Sequence, residues 1–233
     1  IAVPHVTCTI GQVLPAKEIA RLGHEKGLWV FLDGAHTPGM MPLDVKELGC
    51  DFFASCGHKW MMGPKGTGFL YVKREMMEVL EPYWVGAGVD TAWDLATGSL
   101  TYKSDAHRFD FATQSSALYI GLGAAVDFLH HLGMENVARR GQALSRHLRN
   151  GLKGLGERAE ILTPEEDGGF GSVVGFRLKN VPYDKLQQLL LEKHKIITRM
   201  VPENGINCNR ISTHIYNNFD EVNRVVEAIT AAA

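Results

Sequence analysis

LWVFLD, residues 28–33, is an unbroken apolar run that closes on a carboxylate. A strand without polar alternation is covered on both faces, and such strands belong to the parallel sheets of α/β folds. An acid at its last position lies at the carboxyl edge, where the crevices of such sheets open. The arrangement returns in DFFAS, residues 51–55, whose following loop carries His58 and Lys59. Helices are expected around these runs. LPAKEIARLGHEKG (14–27) has Pro15 at a first helical position, Ile19, Leu22 and Gly23 on one face, and Gly27 as a stop. A shorter helix is expected from Pro42 to Leu48, and TGFLYV (67–72) is the next strand. Alternating strand and helix predicts an α/β sheet. IAVPHVTCT, at the start, reads as a strand already in progress, so part of a longer protein is expected upstream of Ile1.

Farther along, SALYIGLGAAVDFLHHLG (116–133) runs on through MENVARRGQALSRHLRNGLKGL as one long helical pattern linking two units. Beyond it the pattern predicts strands AEILT and SVVGFRL, helix YDKLQQLLLEKH, strands KIITRMV and NRISTHIY, and helix FDEVNRVVEAITAA. The division is expected at residues 1–125 and 126–233, the second unit being a smaller α/β domain.

The 233 residues are 45% hydrophobic and 21% charged, with a formal net charge of −2, the balance of an ordinary globular chain. Without a basic surplus, a nucleic-acid partner is not expected. Cys8, Cys50, Cys56 and Cys208 have neither CxxC nor metal-ligand spacing, which fits a reducing, cytoplasmic setting. No apolar stretch approaches a membrane span, so no membrane partner is expected.

If strands 28–33 and 51–55 run parallel, Asp33, His36, His58 and Lys59 converge on one crevice. A lysine in a partly apolar pocket loses charge and becomes a nucleophile able to form a Schiff base. An aspartate able to pair with a pyridinium nitrogen is the other half of pyridoxal phosphate chemistry. On pattern alone two readings stand. The plain one makes Lys59 a solvated lysine after a strand and Asp33 a helix cap.

Residues 33–72, DGAHTPGMMPLDVKELGCDFFASCGHKWMMGPKGTGFLYV, resemble the class V aminotransferase family of pyridoxal phosphate enzymes. This fold-type I group includes cysteine desulfurases and isopenicillin N epimerase-like proteins. The resemblance extends through HVTCTIGQVLPAKEI, RFDFATQSSALYIGLGAAVDF and RISTHIYNNFDEV. It implies the later part of a large mixed-sheet domain binding pyridoxal 5′-phosphate, followed by a small C-terminal α/β domain. By the same resemblance Lys59 carries the internal aldimine, Asp33 pairs with the pyridine nitrogen, and His36 contacts the phenolic oxygen. Arg210 clamps the carboxylate of an amino-acid substrate, with Arg199 in reserve. Cys56 and His58 fall beside the cofactor, and Thr113 reaches a phosphate across the interface of a homodimer. The implied reaction passes through an α-carbanion.

Departures from the family pattern carry information too. Desulfurases have a serine where this chain has Cys56, with Ser55 one residue earlier, and many relatives have asparagine or serine where Cys8 stands. The desulfurase cysteine lies on a loop well upstream of the carboxylate arginine, whereas here Cys208 lies two residues from Arg210. The expectation is the epimerase and carbon–sulfur lyase branch, with cysteine desulfurase or class V aminotransferase as the alternative. A zinc hydrolase fits poorly, because the ten histidines include no HxxxH or HxH pair at this site. GPKGTG (63–68) lacks the GxxxxGK[ST] spacing of a nucleotide loop and reads as a tight turn, with Lys65 solvated. A non-catalytic scaffold is the remaining alternative.

Overall fold

The computed structural model describes residues 1–166 and 168–233. Strands β1 (Ala2–Pro4), β2 (Phe31–Asp33), β3 (Phe52–Cys56) and β4 (Gly68–Val72) form one sheet in that order. The first three run parallel and β4 returns antiparallel. Helix α1 (Ala16–Glu25) crosses from β1 to β2, and the single turn α2 (Val45–Leu48) crosses from β2 to β3. Asp44 caps α2 by accepting from the amides of Lys46 and Glu47, and Gly49 ends it in the left-handed region. Ala16, Ala20, Val30, Leu32, Cys50 and Phe53 make the core of this layer.

Two details differ from the sequence pattern. Leu22 is exposed, and the buried face of α1 is Ala16, Ala20 and Gly23, with Ile19 at its margin. Leu28 and Trp29 are also exposed, so the doubly covered strand shortens to its last residues. The covered part is the part that aims Asp33.

Residues 73–115, for which the pattern gave no elements, contain an antiparallel hairpin of β5 (Asp90–Asp94) and β6 (Ser99–Tyr102). The expected long helix is two helices, α3 (Ser116–Leu132) and α4 (Met134–Lys153), bent by 79°. Gly133 makes the break with φ +80, a conformation that costs other residues strain. The division expected at 125/126 falls inside α3.

Strands β7 (Ala159–Ile161), β8 (Val173–Leu178), β9 (Arg199–Val201) and β10 (Cys208–Ser212) form a second, wholly antiparallel sheet in the order β7-β8-β10-β9. Helices α4, α5 (Tyr183–His194) and α6 (Phe219–Ala232) cover one face. Leu144, Leu148, Leu152, Phe176, Leu186, Leu190 and Ile229 are fully buried there. Each such side chain contributes about 1.5–3 kcal/mol of hydrophobic stabilisation. Asn218 and Glu221 close a reciprocal capping box at the start of α6.

The loop after β1 stitches the two sheets together. Val13 N donates to Gly169 O at 2.9 Å, and Thr163 Oγ1 donates to Ile10 O at 2.5 Å. Val6, Met40, Trp60 and Val173 form a small apolar cluster across the same seam. That seam holds β10 facing the carboxyl ends of β2 and β3. Among the described residues, no single helix is long and apolar enough to cross a membrane.

Candidate active site

Parallel pairing of β2 with β3 sets Asp33 level with Ala54, so the loops that follow the two strands leave the same edge of the sheet. Hydrogen bonds lash them together: Gly34 N donates to Ala54 O at 2.8 Å, and Ser55 Oγ donates to Gly34 O at 2.9 Å. Ala35 N donates to Asp33 Oδ1 at 2.9 Å, which orients the carboxylate. Gly39 lies against the second loop with φ +85, where an added Cβ would stand 2.3 Å from the Trp60 carbonyl carbon. Only glycine allows that approach.

His36 and Lys59 are the residues this packing brings together. Lys59 Nζ lies 3.5 Å from His36 Nε2, and Trp60 Nε1 donates to His36 Nδ1 at 3.0 Å. Burial holds the His36 imidazole down to about 4, and the charges of Lys59 and Arg210 push the same way. It is therefore neutral at pH 7. Trp60 and Met61 are buried while Lys59 is exposed, so these apolar neighbours turn inward and do not enclose the amine.

Two cavities meet at Lys59, His36 and Cys8. One, of about 520 Å³, is also lined by Asp33, Ala35 and the β1 segment. The other, of about 530 Å³, is lined by His58, Trp60, Arg199, Arg210, His214 and Tyr216. Arg210 and Arg199 are register partners on β10 and β9. Arg210 donates through its Nη1 to the Cys8 carbonyl, and Arg199 pairs with Glu203. Burial lowers the Arg210 guanidinium from its ordinary value, Arg199 adding to the effect. Among the described residues its buried Nε has no hydrogen-bond partner, a donor prepared for an anion.

The other sequence candidates lie apart from this junction. Cys56 lines neither cavity, and its thiol donates to Ala35 O at 3.8 Å. His58 is exposed at the wall of the Arg210 cavity. Thr113 is exposed in the segment leading to α3. Cys208 is fully buried on β10, and Lys65 is exposed in the turn before β4. Sequence reasoning missed His214 as part of the site. His214 stacks on Trp60 with ring centroids 5.4 Å apart, and Tyr216 stacks on His214 at 4.8 Å. RISTHIY held the signal, as aromatic rings placed just past the arginine. Among the described residues no three His, Cys, Asp or Glu side chains gather to hold a metal ion.

A mixed sheet with a lysine loop at the carboxyl edge of its strands, closed by a second sheet bearing an arginine, defines an α/β protein of fold type I. Residues 1–225 match the family model for aminotransferase class-V, and the chain belongs to that family. It is 34% identical over 240 residues to a cysteine desulfurase of Haloferax volcanii, covering 100% of this chain and 55% of that protein. It is 30% identical to the isopenicillin N epimerase of Streptomyces clavuligerus, over 97% of this chain and 58% of that protein. A solved C-DES mutant with glycine covalently linked to its PLP cofactor superposes with a TM-score of 0.85 at 27% identity, over 98% of this chain and 60% of that one. The chain thus spans little more than half the length of the curated relatives it matches.

Proposed function

We propose that this chain carries the catalytic residues of a pyridoxal 5′-phosphate enzyme acting on an amino acid or amino-acid-like substrate. The observation that carries the reading is the position of Lys59 Nζ, at the junction of the Asp33 cavity and the Arg210 cavity. The donor set fits this cofactor: an amine, a carboxylate at a strand end, a neutral imidazole and, across the cleft, a guanidinium with an unused buried donor. Bound in the Asp33 cavity, the cofactor supplies an electron sink for charge at the substrate α-carbon.

The residues divide the remaining work. Lys59 holds the cofactor through its amine, and when released it takes or returns the α-proton. Asp33 keeps the ring nitrogen protonated, and His36 donates to the ring oxygen. Arg210 takes the α-carboxylate in its planar fork, which orients the α-carbon beside Lys59. His58 and Cys56 border the cofactor from the β3 side. Thr113, exposed and outside both cavities, serves the phosphate of a neighbouring subunit, which makes the active species a homodimer.

Burial of Cys208 supports the epimerase or carbon–sulfur lyase branch, because a thiol fixed inside β10 cannot reach a substrate sulfur. A desulfurase is the second reading, supported by the names of relatives and by one exposed thiol, Cys8, which lines both cavities. Cys8→Ser separates the two, abolishing sulfur release from cysteine only if Cys8 is the acceptor. The reading as a whole is tested by borohydride reduction of the loaded enzyme, with the cofactor mapped to the Lys59 peptide.

A further inference from the structure

The indole nitrogen of a tryptophan can only donate a hydrogen bond. Trp60 Nε1 lies 3.0 Å from His36 Nδ1, and both side chains are buried. His36 Nδ1 must therefore present its lone pair. The proton of the neutral ring then sits on Nε2, the nitrogen that faces Lys59 Nζ at 3.5 Å. A proton on Nδ1 would set two N–H groups against each other away from water, losing one hydrogen bond and leaving two donors unsatisfied. The lowered titration of His36 agrees with this constraint.

Trp60 is itself held from the other side. His214 stacks on its ring with an interplanar angle of 14° and donates from Nε2 to Trp60 O at 3.0 Å. Ile215 N donates to His214 Nδ1 at 2.8 Å, so the proton of the neutral His214 ring is likewise confined to Nε2. Gly39 packs against the Trp60 carbonyl. The indole is thus clamped between β10's following loop and the loop of His36, with little freedom to turn its N–H elsewhere.

We propose that Trp60 is a positioning residue that fixes His36 in its Nε2–H tautomer, making it a hydrogen-bond donor toward the cleft and the cofactor oxygen and never a proton acceptor there. The tautomer follows from the contacts alone; its consequence at the cofactor rests on the function proposed above. On that function, His36 supports the oxygen of the ring, and the α-proton is left to Lys59.

The test uses the full-length, cofactor-loaded protein labelled with 15N-histidine, with His36 assigned by the signal lost in His36→Gln. Solid-state 15N spectra at neutral pH are expected to show an unprotonated Nδ1 and a protonated Nε2. Trp60→Phe is expected to raise the Nδ1–H population about fivefold, the equilibrium counterpart of one ordinary hydrogen bond. A protonated Nδ1 in the wild type, or an unchanged tautomer ratio in Trp60→Phe, would overturn the proposal. The wild-type spectrum decides even if Trp60→Phe does not fold. The pH titration of the visible absorption supplies a second reading through a double-mutant cycle. Trp60→Phe is expected to shift that titration in the wild type but not in His36→Gln, whose amide brings its own N–H. Equal shifts in both backgrounds would mean that Trp60 acts by packing, and the proposal would fail. If the cofactor is not carried on Lys59 but the tautomer is as expected, the proposed function fails and the tautomer assignment stands.

Discussion

Replacing His36 with glutamine removes a buried group that resists protonation, and the structure sets the size of the effect. The folded imidazole titrates at about 4 against 6.5 for the free side chain, mainly because burial disfavours its charged form. Between these values the unfolded chain binds a proton that the folded chain refuses, so folding stability falls as pH is lowered through that window and is flat above it. At about 1.4 kcal/mol per pH unit, the stability difference between wild type and His36→Gln shrinks by about 2 kcal/mol from pH 7.5 to pH 5 and by about 3 kcal/mol at pH 4. His5 and His214 are also lowered by burial, but both proteins share them and their effect cancels in the difference. Urea unfolding of the two proteins at several pH values measures it. A difference independent of pH over that range would refute the reasoning, because it would mean that His36 is hydrated in the folded protein.

Two further substitutions test the cleft. Arg210→Lys keeps a charge but loses the planar fork, and is expected to lower kcat/KM for carboxylate substrates by about 2–5 kcal/mol with the visible absorption unchanged. Normal turnover by that variant would remove Arg210 from substrate binding. Gly39→Ala drives a methyl group to 2.3 Å from the Trp60 carbonyl carbon at a residue with φ +85. It is expected to cost about 2 kcal/mol or more in urea unfolding, and a neutral result would show that the two loops are not tightly packed.

The parts of the fold legible in the sequence are those fixed by local pattern. The apolar runs that end at Asp33 and before Lys59 are parallel neighbours, and FDEVNRVVEAITAA is α6 residue for residue up to Ala232. The hairpin β5–β6 was not legible, because none of its strand residues is buried and four of the five in β5, Trp93 among them, are exposed. The break at Gly133 was hidden too, since helical apolar spacing continues on both sides of it. At the site, residue types gave the candidates, but contacts between distant segments organise them. Trp60 on His36, His214 on Trp60, and Arg210 on the Cys8 carbonyl join segments 24 to 202 residues apart. No local pattern records such pairings.

Reduction of the cofactor-loaded protein with borohydride, followed by peptide mapping, asks directly whether Lys59 carries the cofactor. The visible absorption is expected to disappear, leaving a single modified peptide with the cofactor on Lys59, the amine that lines both cavities. Modification of Lys65, which is exposed in the turn before β4, would contradict it, as would protein that carries no reducible cofactor at all.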